Sequence, residues 1–232
     1  MPEKINPIGK FKAIIFDMDG VLVDVSQSYR VAIKKTAEFF LGKMIDNEQI
    51  ERLKLAGGYN DDYDCAEALL RNNGRFVPRE IVIKKFQEYY LGKAYGGLID
   101  NEKWIMEKAL LNSLVKKYKL GIFTGRPRFE ANYALKNSTA MKYFMSVISM
   151  EDTPNKKPAP DGLILAMNKI RTKSAVYVGD SIDDLHAARA ANIEFIGVIA
   201  PGCDRARCRA VLKDNGAKVI LENVNQIVKV VK

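Results

Sequence analysis

The chain has 232 residues, 47% hydrophobic and 28% charged, enough for one large domain or two smaller ones around a real core. No run approaches the roughly 18 apolar residues of a membrane helix, and MPEKINPIGK at the N-terminus lacks an apolar signal region, so a cytoplasmic location is expected. Cys65, Cys203 and Cys208 have no paired spacing, which argues against a disulfide frame or a zinc site; the net charge of +9 comes from scattered Lys and Arg, a solvated basic surface rather than a nucleic-acid stripe; and a single histidine, His186, argues against histidine-dyad chemistry.

In chain order, Ala13–Phe16 is a four-residue apolar run that stops at Asp17 and Asp19, with Gly20 behind them. This pattern predicts a buried strand with two carboxylates at its C-terminal tip, both turned to one side by the period of two. Helical spacing follows: Gln27–Leu41, Asn47–Leu55, Asp61–Arg71, and Arg79–Leu91 opened by Pro78. The segment closes in a glycine-rich stretch ending Gly96-Gly97, which pairs with Val23-Asp24-Val25 as the expected hinge. From there helix and strand alternate. Helices are expected at Asn101–Lys117, Phe129–Lys136, Gly162–Arg171, Ile182–Ala191, Asp204–Asp214 and Val224–Val231. Strands are expected at Leu120–Thr124, Met145–Ser149, Ala175–Val178, Phe195–Ile199 and Lys218–Leu221. That alternation implies βαβ units and a parallel sheet. The expected fold is therefore α/β: a Rossmann-like, doubly wound parallel-sheet core, residues 1–24 and 98–232, with an inserted all-α domain, residues 25–97.

Ligands of an open parallel sheet bind outside the carboxyl ends of its strands. There the chain delivers Asp17 and Asp19, then Thr124 and Gly125, then Lys157 in a proline-rich loop, then Asp180 with Asp183 and Asp184 close behind. Asp17 and Asp180 can share a hard divalent cation. Asp17 can act as a nucleophile, and a protonated Asp19 as general acid to a leaving oxygen. Thr124 Oγ, the Gly125 N–H and Lys157 are donors suited to phosphate oxygens. Together these residues point to phosphoryl transfer through an aspartyl-phosphate. Arg126, next in line, is either a substrate contact or half of a structural ion pair.

DMDGVLVD, TGRP, KKPAPD and GDSIDD, in that order, resemble the four motifs of the haloacid dehalogenase-like superfamily, and the likeness covers nearly the whole chain. The resemblance implies Asp17 as nucleophile and Asp19 as general acid/base. It implies Thr124 and Lys157 on the phosphoryl group, Lys157 rather than Lys156 because it directly precedes proline. It implies a magnesium ion (Mg2+) on Asp17, the Asp19 backbone carbonyl, Asp180 and an acid of the fourth motif, Asp184 by its spacing, with Asp183 the alternative. The helical insertion resembles a C1 cap that closes over small substrates, with Tyr59 and Asn60, in a glycine-rich loop, read either as specificity residues or as a simple turn in which Asn60 caps the next helix. Dehalogenases of this kind lack the second aspartate, so Asp19 points away from that activity. What is expected is a phosphatase of a small phosphorylated metabolite (phosphoglycolate phosphatase-like), acting as a monomer or homodimer without membrane or nucleic-acid partners. A sugar-phosphate mutase, similar to beta-phosphoglucomutase, and a non-catalytic basic binding protein are the alternatives. Arg52 and Lys54 are read as solvated charges on a helix face, and Trp104 as core.

Overall fold

Six parallel strands form the sheet that carries the candidate site residues at its strand tips, in a computed structural model that describes residues 11–59, 61–93 and 96–231. The strands are β1 (Ala13–Phe16), β4 (Lys119–Phe123), β5 (Ser146–Ile148), β6 (Ala175–Gly179), β7 (Glu194–Val198) and β8 (Ile220–Leu221), ordered β5-β4-β1-β6-β7-β8. Every ladder is parallel: Ile15 lies opposite Gly121 on one side and Tyr177 on the other. β1 and β6 are buried along their whole length, as expected of parallel strands covered on both faces. Their covers include α7 (Asp161–Ile170) over β1, β4 and β5, α8 (Ile182–Ala190) over β6 and β7, and α9 (Arg205–Asp214) over β8. From central β1 the strands run outward in both directions. That is the switch point at whose carboxyl edge α/β proteins hold ligands.

The chain divides into two compact units, residues 1–24 with 104–232, and residues 25–103. The second holds four helices: α1 (Tyr29–Leu41), α2 (Asn47–Ala56), α3 (Asp62–Asn72) and α4 (Arg79–Tyr90). Their starts are chemically marked. Asp46 and Asp61 accept the Glu48 and Tyr63 backbone N–H groups as N-caps, and Pro78 precedes α4. The unit's core is aromatic, with Tyr29 stacked on Tyr90 at 4.3 Å and Phe86 against both. Residues 98–103 cluster with these helices rather than with the α/β unit. Ile99 is buried, and Glu102 accepts hydrogen bonds from Ser28 Oγ at 3.0 Å and the Tyr90 hydroxyl at 2.9 Å.

Two expected helices are different. Asn101–Lys117 is not a single helix: a 3₁₀ turn ends at Asn101, β3 (Lys103–Trp104) follows, and α5 spans only Lys108–Leu114. β3 joins β2 (Val23–Asp24) in a two-stranded sheet, so tertiary pairing overrides the helical spacing of the apolar residues. The C-terminal Val224–Lys229 is likewise a 3₁₀ helix. No helix among the described residues is long and apolar enough to cross a membrane.

Candidate active site

Asp17 is the first residue beyond β1, and its backbone N–H still donates to the Val178 carbonyl at 2.8 Å, so the strand geometry carries through to the acid. Asp17 is 3% exposed. The chain then turns through Gly20, whose φ of +72° favours glycine. A Cβ there would also lie 2.4 Å from Asp180 Oδ2, so the absence of a side chain lets β1 and β6 bring their acids together.

Asp17, Asp180 and Asp184 each offer a carboxylate oxygen within 4.8 Å of the others. Asp180 follows β6. Asp184 lies in the first turn of α8, where it completes a capping box: Ser181 Oγ accepts the Asp184 N–H, and the Asp184 carboxylate accepts from the Ser181 backbone. Of the two candidate acids in the fourth motif, Asp184 therefore joins the cluster, and Asp183 is not part of it.

Lys157 is buried at the centre of this set, whereas Lys156 is exposed. Its ammonium lies 2.7 Å from Asp17 Oδ1 and 2.7 Å from Asp184 Oδ1, over the rings of Phe123 and Tyr177. Burial works against that charge, but the two carboxylates outweigh it and hold the lysine above its usual range. The acids sharing it are driven apart. Burial, reinforced by Asp184 and Asp19, pushes Asp17 up to about 7 despite Lys157. For Asp184 burial opposes ionisation too, yet Lys157, Ser181 and Tyr177 together hold it below the ordinary carboxylate range. Two neighbouring acids with separated affinities for a proton are a recurrent sign of acid–base and nucleophilic work.

Thr124 follows β4 and is fully buried. Its Oγ1 accepts the Arg126 N–H at 3.1 Å, and no described residue takes its hydroxyl proton. Gly125 beside it is exposed. Arg126 is buried, and its guanidinium meets Asp19 Oδ1 from Nε at 2.7 Å and Nη2 at 2.5 Å. Of the two readings for Arg126, the ion pair is what the geometry displays. The Asp19 carboxylate, 30% exposed, is thereby turned to Arg126 and lies outside the acid cluster.

Tyr59 belongs to the helical unit, where its carbonyl accepts from Lys54 Nζ at 2.8 Å; Asn60 lies outside the described residues. Lys54, expected to be solvated, is instead half-buried and paired with Asp62 at 2.6 Å. Tyr177 is a residue that sequence reasoning missed. Its hydroxyl is 2.8 Å from Asp184 Oδ1 and 3.1 Å from the Phe123 carbonyl. Burial and then the Asp184 charge raise its pKa well above the usual value, so it stays a neutral donor.

A family model described as haloacid dehalogenase-like hydrolase matches residues 14–198. Imidazoleglycerol-phosphate dehydratase of Phytophthora nicotianae is 34% identical over 92% of this chain; the chain spans about half the length of that relative, 48%. Phosphoglycolate phosphatase of Escherichia coli is 27% identical over 84% of this chain and 83% of its own. Among solved structures, phosphatase Tt82 from Thermococcus thioreducens superposes with a TM-score of 0.63 at 27% identity, covering 86% of this chain and 99% of that one.

Proposed function

The chain belongs to the haloacid dehalogenase-like hydrolase family, and on that premise we propose that it is a phosphatase of small phosphorylated metabolites working through an aspartyl-phosphate. The observation that carries the reading is the buried Asp17–Lys157–Asp184 arrangement at the carboxyl edge of the sheet, with Asp19 and Thr124 delivered beside it.

In the first half-reaction an Asp17 carboxylate oxygen attacks phosphorus, and the bond to the leaving oxygen breaks with its electron pair. Asp19 gives that oxygen a proton, so the alcohol departs neutral. In the second half-reaction a water attacks the phosphorus, loses its proton to Asp19, and returns Asp17 as a carboxylate with inorganic phosphate released. Lys157 and the Thr124 hydroxyl hold the phosphoryl oxygens through both steps, with the exposed Gly125 N–H beside them. Lys157 also keeps Asp17 from facing Asp184 uncompensated.

The acid cluster suits a hard divalent cation: three carboxylates, from β1, β6 and α8, crowd together with one ammonium among them. Asp17, Asp180 and Asp184, with the Asp19 carbonyl, would hold it, and magnesium is the ion proposed. When bound it supplies charge neutralisation for the phosphoryl group and the acids. The helical unit is proposed as the substrate-selecting cap, with Tyr59 and Asn60 in its specificity loop.

Two substrate classes lead: small carboxylated phosphomonoesters, from the Escherichia coli relative's name, and imidazole-bearing phosphomonoesters, from the Phytophthora relative's. The test is phosphate release from phosphoglycolate, imidazole glycerol phosphate, histidinol phosphate, hexose phosphates and p-nitrophenyl phosphate with Mg2+, comparing wild type with Asp17→Asn. Turnover that survives Asp17→Asn overturns the nucleophile. Isomerisation of a hexose phosphate outpacing phosphate release moves the reading to a mutase.

A further inference from the structure

We propose that Arg126 is the positioning residue for Asp19, a role that rests on Asp19 being the proton donor of the reaction above. A guanidinium is expensive to bury unless its partner compensates it. Arg126 has no exposed side-chain surface, yet its partner Asp19 is 30% exposed. An ion pair with one enclosed and one exposed member differs from a core pair buried on both sides. The arrangement instead resembles a support, anchored in the protein, that holds a group facing solvent.

The anchor is well built. The Arg126 N–H donates to Thr124 Oγ1 at 3.1 Å, its carbonyl accepts the Met150 N–H at 2.9 Å, and Pro127 leads directly into the helix Arg128–Asn137. The backbone is pinned on both sides and the side chain is enclosed, which holds the guanidinium against Asp19. Two guanidinium contacts, from Nε at 2.7 Å and Nη2 at 2.5 Å, fall on the same carboxylate oxygen, Oδ1. Two donors on one oxygen anchor Oδ1 and limit where the carboxyl group can swing. No other described side chain hydrogen-bonds the Asp19 carboxylate, so Oδ2 remains the oxygen open to carry a proton to a leaving group. Arg126 itself, fully enclosed, does not reach a substrate; it acts through Asp19. A catalytic group held this way stays close to its productive geometry, whereas an unsupported aspartate samples several rotamers. The pair also ties the residue after Thr124-Gly125 to the aspartate two residues after Asp17, linking the Thr124 segment to the proposed proton donor.

The experiment compares kcat/KM for p-nitrophenyl phosphate, whose leaving group needs little protonation, with phenyl phosphate, whose leaving group needs more. Wild type, Asp19→Asn, Arg126→Met, Arg126→Lys and the double variant Asp19→Asn/Arg126→Met are measured at saturating Mg2+. Arg126→Met is expected to lose about tenfold more on phenyl phosphate than on p-nitrophenyl phosphate, within the range that general acids contribute. Added to Asp19→Asn it should cost less than about threefold more, because the two residues act as a unit. Arg126→Lys, with a single donor group, should show the same selective loss in smaller size, and it carries the test if Arg126→Met does not fold. Equal losses on both substrates, or full additivity with Asp19→Asn, would overturn the inference. A leaving-group-independent Asp19→Asn brings down the proton-donor reading itself, a different failure from Arg126 variants that are flat while Asp19→Asn is selective.

Discussion

Lys157 Nζ donates to Asp17 Oδ1 at 2.7 Å across 140 residues of chain, inside the protein, where the lysine side chain is 1% exposed and the aspartate 5%. The same ammonium serves Asp184, so its removal leaves two buried carboxylates without their shared cation. Breaking a buried pair on one side costs about 3–5 kcal/mol. Lys157→Met, assayed by urea unfolding in EDTA near neutral pH, should lose stability on that scale along with phosphatase activity. Lys157→Arg should not restore activity, because a planar fork cannot take the place of a compact ammonium between two acids. Unchanged stability in Lys157→Met would show that the acids had taken up protons and needed no cation.

The same crowding predicts a stability response to metal. A cation that binds the folded cluster and not the unfolded chain stabilises by about 2.7 kcal/mol at a hundredfold excess over Kd. For a chain of this size that is roughly 5–10 °C in Tm. Mg2+ should raise the wild-type melting temperature, and Asp180→Asn should largely abolish the rise while leaving the metal-free melt close to wild type. A Tm indifferent to Mg2+ in both proteins would remove the acid cluster from consideration as a metal site.

A separate pH effect resides in the helical unit. Cys65 is fully buried on α3, and burial pushes its thiol from its ordinary value near 9 up to about 11. Below pH 9 both folded and unfolded chains hold the proton. Between pH 9 and about 11 the unfolded thiol releases it while the folded one does not, so unfolding is favoured as the pH rises. The slope from this group is about 1.4 kcal/mol per pH unit at its steepest. Cys65→Ala has no thiol to titrate. Urea unfolding at several pH values across that window should give a shallower decline for the variant than for wild type, whatever cavity cost offsets the two curves; parallel curves would contradict the buried thiol.

How much of this was legible in the sequence depends on how local the signal is. Ala13–Phe16 could be bounded to the residue because an apolar run meets two acids and a glycine at once. The starts of α2 and α3 fell within a residue of those expected at Asn47 and Asp61, and the structure shows the caps there to be Asp46 and Asp61, each bonding two residues ahead. Where the deciding partner is distant, the reading failed. Lys103–Trp104 is too short to show any period, and only its pairing with Val23–Asp24 makes it a strand. Arg126 announced itself by its place after Thr124-Gly125, but nothing nearby said that its carboxylate would be Asp19, 107 residues away. The pairing of half-buried Lys54 was hidden in the same way, since only the folded chain brings Asp62 onto it. Tyr177 was the least visible, because inside AVYV a tyrosine is indistinguishable from core filling until the strand turns its hydroxyl toward Asp184.

That hydroxyl supports a last prediction. A phenol has one proton to give, and the Tyr177 oxygen has two acceptors in reach, Asp184 Oδ1 at 2.8 Å and the Phe123 carbonyl at 3.1 Å. The shorter contact is to the acid, and hydrogen bonds to charged groups are worth about 1.5–3 kcal/mol. Asp184 Oδ1 is also the oxygen that faces Lys157, so the hydroxyl and the ammonium together set which way the carboxylate points. Tyr177→Phe keeps the ring that packs near Phe123 and Phe195 and removes only that bond. Outer partners of metal ligands typically contribute 10- to 100-fold in affinity. Tyr177→Phe should therefore raise the Mg2+ concentration needed for half-maximal activity by about tenfold, with kcat at saturating Mg2+ falling much less. A lowered kcat at unchanged Mg2+ dependence would mean that the hydroxyl serves Lys157 and the phosphoryl group instead. An unchanged enzyme would mean that Ser181 and Lys157 alone suffice to orient Asp184.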